Sequence, residues 1–240
     1  MKRRTVLKGA LGLGAGMNLL SCASGHHKSK THHDIDKKHI HQSIEVKDIP
    51  EVIGHGKFKY KVLKDWGVLD KNKYPISNCH AMVQTSDGLL HALIDGDVNN
   101  FLVYNKEGEL QKAWGTEYNG AHGLEVFKEN NKEYFIVVDG GWAVRKGKFR
   151  REQGRVTKIT TDGAHVFTMG HPMTVDAYKP NMRFQPCDAA VADNGDIYVA
   201  DGYGSQWVLQ YDKQGRYIRK FGGAQEKNPA ARLKGSHGIS

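Results

Sequence analysis

Cysteine is scarce in this chain, with three residues in 240. Cys22 stands near the N-terminus, while Cys79 and Cys187 each precede the first residue of a different, non-adjacent repeat, which disfavours a disulfide between them. Helical periodicity is nearly missing beyond the first twenty or so residues, which leaves β-structure as the way to build a domain. Concentrated positive charge is missing too. The formal net charge is +9, but Lys2, Arg3, Arg4 and Lys8 supply four of those charges, and the remaining +5 is scattered. With no aromatic residues interleaved among basic ones, the chain carries no electrostatic footprint for a nucleic acid. A hydrophobic content of 39% is ordinary for a soluble domain, and the length suffices for a sizeable core.

The two ends read separately from the rest. Arg3-Arg4-Thr5-Val6-Leu7-Lys8 has the form of a twin-arginine export signature, and the apolar stretch from Gly9 to Leu20 is too short to span a bilayer stably. Leu19-Leu20-Ser21-Cys22 reads as a lipobox in which Cys22 is acylated; the other reading is a plain signal peptide with an incidental cysteine. Residues 1–21 are thus expected to be a signal peptide, and the mature protein to reside in the periplasm or cell envelope, held to the membrane only through a lipid at Cys22. Residues 22–56 read as a tether: His26, His27, His32, His33, His39 and His41 sit among Lys, Ser and Asp without strand or helix period. Such a tract can capture metal, but a solvated linker accounts for it more simply. At the other end, Ser236-His237-Gly238-Ile239-Ser240 matches the start of a repeat, so the remaining repeats are expected on sequence beyond it.

Between the ends, over residues 57–240, one pattern recurs. It begins at His80, His122 and Asp188, with His237 opening a fourth copy. Each copy has an apolar strand, a second strand ending in Asp (Asp95, Asp139, Asp201) and a closing pair of alternating strands around a Gly turn that runs into Gly. Asp87-Gly88 and Asn194-Gly195 supply tight turns. Phe58 to Gly67 resembles the last strand of such a unit without its first three. Self-similarity at roughly 40–50 residues is the mark of propeller blades and related repeats, so the expected fold is an all-β propeller forming an incomplete ring. In that architecture the first residue of each innermost strand faces a central channel. His80, His122 and His237 share that register, with Asp188 at the third copy, and imidazoles arriving on neighbouring inner strands can meet one ion such as zinc. Packing of each histidine against a neighbouring loop is the plainer reading for any one of them.

Tyr203 follows Asp201-Gly202 directly after a strand and is placed to overhang the channel mouth. A phenol titrates near pH 10 in water, so it acts as a base where a metal draws off its proton; the competing role is a rim aromatic. His165 and His171 read as surface residues, and Arg145, Arg150 and Arg151 as a solvated basic loop.

The segments Gln185-Pro186-Cys187-Asp188-Ala189-Ala190-Val191, Val199-Ala200-Asp201-Gly202-Tyr203 and Ser236-His237-Gly238-Ile239, together with His122-Gly123-Leu124, resemble NHL repeats. They are similar in particular to those of the peptidyl-α-hydroxyglycine α-amidating lyases, six-bladed propellers that split a peptidyl-hydroxyglycine into a peptide amide and glyoxylate. The resemblance covers about residues 58–240 and implies His122 and His237 as two zinc ligands, a third beyond Ser240, and Tyr203 as catalytic base. It also implies a structural calcium held by the carbonyls of Leu124 and, by register, Met82, and a small peptide-like substrate. Three places depart from the family. Leu93-Ile94-Asp95-Gly96 stands where the family has a substrate-contacting arginine; Phe184 and Gly204 stand near its cysteine pair; and His80 occupies a register where the family has a small residue, so it serves either as a further ligand or as channel filling. The expected activity is a metal-dependent carbon–nitrogen lyase. A non-catalytic NHL propeller binding a peptide, glycan or protein is the second expectation, and a lactonase-type hydrolase is disfavoured by the histidine register.

Overall fold

The computed structural model describes residues 50–145 and 148–240. The export signature, Cys22 and the tether through residue 49 lie outside the described residues. Among the described residues no helix is long and apolar enough to cross a membrane.

The chain divides between Trp66 and Gly67. In the first unit, β1 (Val52–His55) and β2 (Phe58–Lys61) form an antiparallel hairpin. This departs from the sequence reading at two points. The tether expected through residue 56 contains a strand, and Phe58–Lys61, read as the propeller's closing strand, pairs locally with its neighbour. Gly56, at φ 56°, makes the two-residue connection that lets the pairing close.

The second unit holds three four-stranded antiparallel sheets, each in plain sequence order. The first contains β3 (Cys79–Gln84), β4 (Leu90–Ile94), β5 (Phe101–Tyr104) and β6 (Leu110–Trp114). The second begins with β7 (Ala121–Glu129) and β8 (Lys132–Asp139). It is interrupted by a two-stranded hairpin, β9 (Trp142–Arg145) and β10 (Lys148–Arg151), and resumes with β11 (Arg155–Thr160) and β12 (His165–Thr168). The third contains β13 (Asp188–Val191), β14 (Ile197–Ala200), β15 (Val208–Tyr211) and β16 (Tyr217–Phe221). The first strand of the second sheet packs against the first strands of both others. Inner strands therefore gather on one side and sheets stack face to face, as in a propeller. The fold is an all-β propeller of three blades, an incomplete ring in this chain. The basic stretch read as a loop is the β9–β10 hairpin.

Stacked blades explain why the middle strands lack the polar alternation of a one-sided sheet. Phe135, Ile136, Val137 and Val138 of β8 are all 0% exposed. Successive side chains point to opposite faces. Phe135 and Val137 join Leu93, Phe101, Leu124 and Ile159 between the first and second blades, while Ile136 and Val138 join Ala189, Val199, Leu209 and Tyr211 between the second and third. Each such side chain contributes about 1.5–3 kcal/mol of hydrophobic stabilisation. The long connection after β12 adds Met169, Tyr178 and Phe184 to the second core. His171, read from sequence as a surface residue, is drawn into this connection: its ring meets Phe184 edge-on at 5.3 Å and Nδ1 accepts from the Met173 N–H at 3.2 Å.

The Asp that ends the second strand of each blade fastens a loop. Asp95 accepts from the Asn78 backbone and side-chain N–H groups, both at 2.9 Å, and Asp139 accepts from the Gly141 N–H at 2.9 Å. Asp201, fully buried, accepts from the Tyr178 hydroxyl at 2.7 Å, the Gln185 N–H at 2.6 Å and the Ser205 N–H at 2.7 Å. Cys79 and Cys187 are both free thiols.

Candidate functional site

The histidine register is built by two β-bulges. Along the β3–β4 ladder Cys79 faces Ile94 and Ala81 faces Leu93, so His80 is the extra residue with no partner. Along β7–β8 Ala121 faces Asp139 and Gly123 faces Val138, which makes His122 the extra residue of the second blade. A bulge releases one residue from the ladder and re-aims its side chain. In the third blade Asp188 faces Ala200 in regular register.

Close approach of the second and third blades fixes His122. A Cβ on Gly123 would stand 2.7 Å from the Cys187 carbonyl oxygen and 2.8 Å from the Asp188 Cα, so only glycine lets the inner strands come this near. The reward is a 2.7 Å hydrogen bond between His122 Nδ1 and the Cys187 carbonyl. A carbonyl only accepts, so the proton is on Nδ1 and the Nε2 lone pair is left for another partner. Burial, then the neighbouring His80 and His237, hold the His122 ring well below the ordinary histidine range, at about 4.

Tyr203 is delivered by the turn that Asp201 organises. The Gln206 N–H donates to the Asp201 carbonyl, and Gln206 sits at φ 64° to bring the chain back into β15. Residues 236–239 cross this turn: a Cβ on Gly202 would overlap the Ser236 carbonyl, and the Ile239 N–H donates to Asp188 Oδ2 at 3.2 Å. Held so, His237 lies with its Nε2 2.7 Å from the Tyr203 hydroxyl. Burial also lowers the His237 pKa. Phenol and imidazole can each donate or accept, so the His237 tautomer sets the direction of this bond: with the proton on Nε2 the ring donates to the Tyr203 oxygen and keeps its Nδ1 lone pair.

Four side chains singled out from the sequence thus form one cluster. The His122 and His237 ring centroids are 4.8 Å apart at 76°, and Tyr203 lies 5.4 Å from His122 and 5.1 Å from His237. His80 stacks on His122 at 4.3 Å and 24°, and its Nε2 is 3.7 Å from Asp95 Oδ2. Near-parallel rings send their in-plane lone pairs side by side rather than to one point, whereas crossed rings can converge. The geometry therefore sets His122 and His237 apart as the pair able to share an ion, with His80 covering His122. Two neutral imidazoles, one oriented by a carbonyl bond at its far nitrogen, are a donor set that fits zinc. No group of three His, Cys, Asp or Glu among the described residues is arranged to hold a metal. The carbonyl register expected for calcium falls on Met82, opposite Ala92 in the first blade, and Leu124, opposite Val137 in the second, each two residues past a bulge histidine.

One member of the cluster was not singled out from the sequence. Trp142, first residue of the inserted hairpin, meets His122 at 5.6 Å and 89° and Tyr203 at 5.3 Å and 76°. Its only sequence signal was a tryptophan directly after the Asp139-Gly140-Gly141 strand end, one residue further past its Asp than Tyr203 is past Asp201.

The fold and cluster define a β-propeller with an imidazole–phenol site at the inner ends of its blades. No family model matches the chain. It is 29% identical over 148 residues, 60% of its length, to a probable peptidyl-alpha-hydroxyglycine alpha-amidating lyase of Caenorhabditis elegans. Over 119 residues, 48% of its length, it is 33% identical to peptidyl-alpha-hydroxyglycine alpha-amidating lyase 1 of Drosophila melanogaster. The matches cover 38% and 19% of those two relatives. A solved streptogramin B lyase structure aligns with a TM-score of 0.36 at 12% identity, covering 61% of this chain and 55% of that one. The chain is thus a propeller resembling the peptidyl-α-hydroxyglycine α-amidating lyases, and its relatives are lyases.

Proposed function

We propose that this protein is an exported, metal-dependent lyase that cleaves the carbon–nitrogen bond of a peptidyl-α-hydroxyglycine, releasing a peptide amide and glyoxylate. The observation that carries this reading is the 2.7 Å contact between Tyr203 and His237 beside a neutral, carbonyl-oriented His122. It places a phenol in hydrogen-bond contact with one imidazole and beside a second, both suited to a divalent ion. His122 through Nε2, and His237, would hold zinc; Met82 and Leu124 would give carbonyls to a structural calcium. Bound there, zinc supplies Lewis-acid polarisation of the substrate hydroxyl.

The residues divide the remaining work. Tyr203 takes the proton of the hydroxyl as the C–O bond becomes the aldehyde C=O of glyoxylate. The C–N electrons pass to the amide nitrogen, which recovers from Tyr203 the proton taken from the hydroxyl, so the reaction is balanced without oxidant or reductant. A His237 that donates its Nε2–H to the Tyr203 oxygen would stabilise the phenolate and leave its Nδ1 lone pair for the ion. The Cys187 carbonyl fixes the His122 tautomer, and His80 and Trp142 shield the imidazole from water.

The test is glyoxylate release from an N-acyl peptidyl-α-hydroxyglycine by the full-length protein. Tyr203→Phe is expected to lower kcat by roughly a hundredfold or more, the usual scale for a lost general base. Zinc analysis should find about one ion, reduced in both His122→Ala and His237→Ala; unchanged zinc in both variants would remove the metal from the scheme. A second reading, a non-catalytic propeller that binds a peptide, glycan or protein at the cell envelope, draws on residues 93–96. These offer no arginine, and Asp95 there is engaged with Asn78. Peptide binding with no glyoxylate from the intact protein would select it.

A further inference from the structure

Behind Trp142 lies a cavity of about 430 Å³. Asp139, Glu117, Glu152, Gln153 and Arg155 line it together with Trp142 itself. The same indole meets His122 and Tyr203 edge-on. Trp142 is therefore shared between the candidate site and the wall of a polar chamber large enough for a long side chain. A residue next to one held at the cluster falls within reach of this wall, since consecutive peptide residues advance about 3.3–3.6 Å each.

The chamber's charges do not cancel. Asp139 and Arg155 face each other across the β8–β11 ladder with an N–O distance of 3.5 Å, and the Arg155 guanidinium lies over the Tyr118 ring at 5.1 Å. Gln153 is committed through its side-chain oxygen, which accepts from the Phe184 N–H at 2.9 Å. Glu117 comes from the connection between the first and second blades and Glu152 from the return of the inserted hairpin. Both are exposed, and the lining sets three carboxylates, Glu117, Asp139 and Glu152, against the single guanidinium of Arg155.

We propose that this chamber receives the side chain of the residue preceding the hydroxyglycine, and that Glu117 and Glu152 select a basic side chain, lysine or arginine, there. The assignment rests on the lyase reading for the identity of the substrate, while the chamber and its charge stand apart from it. Trp142 packs against the aliphatic stem of the entering side chain while keeping its contacts with the His122 and Tyr203 rings. An acidic side chain would meet like charge at the rim and be rejected.

The experiment compares kcat/KM of the full-length protein for hydroxyglycine peptides bearing Arg, Leu or Glu at the preceding position. Arg is expected to exceed Glu by about tenfold, on the scale of two partly exposed charge pairs. In Glu117→Gln/Glu152→Gln that ratio should fall toward one through KM, with the Leu peptide unaffected and the thermal midpoint unchanged. An unaltered ratio in the double variant, or equal rates for all three peptides in the wild type, would overturn the assignment. Should no peptide release glyoxylate, the lyase reading fails by itself. Fluorescence-polarisation binding of the same labelled peptides, wild type against double variant, then decides the chamber: Arg preference lost in the variant supports it, and no preference overturns it.

Discussion

Asp201 shows how one residue serves a site it never touches. Its carboxyl, fully buried, collects the Tyr178 hydroxyl and the Gln185 and Ser205 N–H groups, and so shapes the turn that carries Tyr203. Burial raises its pKa to about 6 against the pull of those donors. A carboxyl whose pKa is raised by folding binds a proton more readily in the native state. Its contribution to stability is therefore fully present below its unfolded value near 3.8 and is lost as pH rises through about 6. Denaturant titrations across that window should find wild type gaining on Asp201→Asn as pH falls, by up to about 3 kcal/mol. A constant difference between the two proteins would show that Asp201 keeps one protonation state throughout. Of the site residues, His122, Tyr203 and His237 were legible in the sequence because each follows a repeat landmark: an inner-strand start or a strand end at Asp-Gly. Trp142 was not, because it opens a stretch whose dense Lys and Arg read as solvated loop. Nor could spacing alone separate His80 from His122. Only the stacking angle shows that equal registers need not give equal lone-pair directions.

At the scale of the element, the inner strands decide the geometry. Gly123 sits where β7 meets β13, and an added methyl would strike main-chain atoms of Cys187 and Asp188 rather than a yielding side chain. Gly123→Ala should therefore destabilise the fold by about 1–3 kcal/mol, the usual range for overpacking. It should also lengthen the His122–Cys187 contact. Thermal unfolding measures the first, and His122 ring-nitrogen NMR shifts report the second through loss of the fixed tautomer. A variant with wild-type midpoint and unshifted resonances would mean that the blades part at no cost. The strands themselves were readable from apolar runs ending in Asp, because burial on both faces removes polar alternation from β4, β5 and β8. The bulges were not readable. An extra residue in an apolar strand leaves no mark in composition, since what identifies it is the partner strand's count.

For the whole molecule, the three blades followed from the repeated sequence pattern. The β1–β2 hairpin did not, because Phe58–Lys61 carries an alternation that suits a blade edge or a local hairpin equally. Export and anchoring belong to this scale. If Cys22 is acylated, the protein should fractionate with membranes and Cys22→Ser should move it to the soluble fraction; identical partitioning of the two would leave a plain cleaved signal.

The two bulges carry a further consequence. A residue that opposes nothing contributes no ladder pair, so exchanging it alters what the channel presents while leaving strand pairing intact. His80 and His122 thus occupy sockets rather than structural positions. Deleting either one, by contrast, would restore an even count and straighten the strand, so strand pairing there depends on a residue being present rather than on which residue it is.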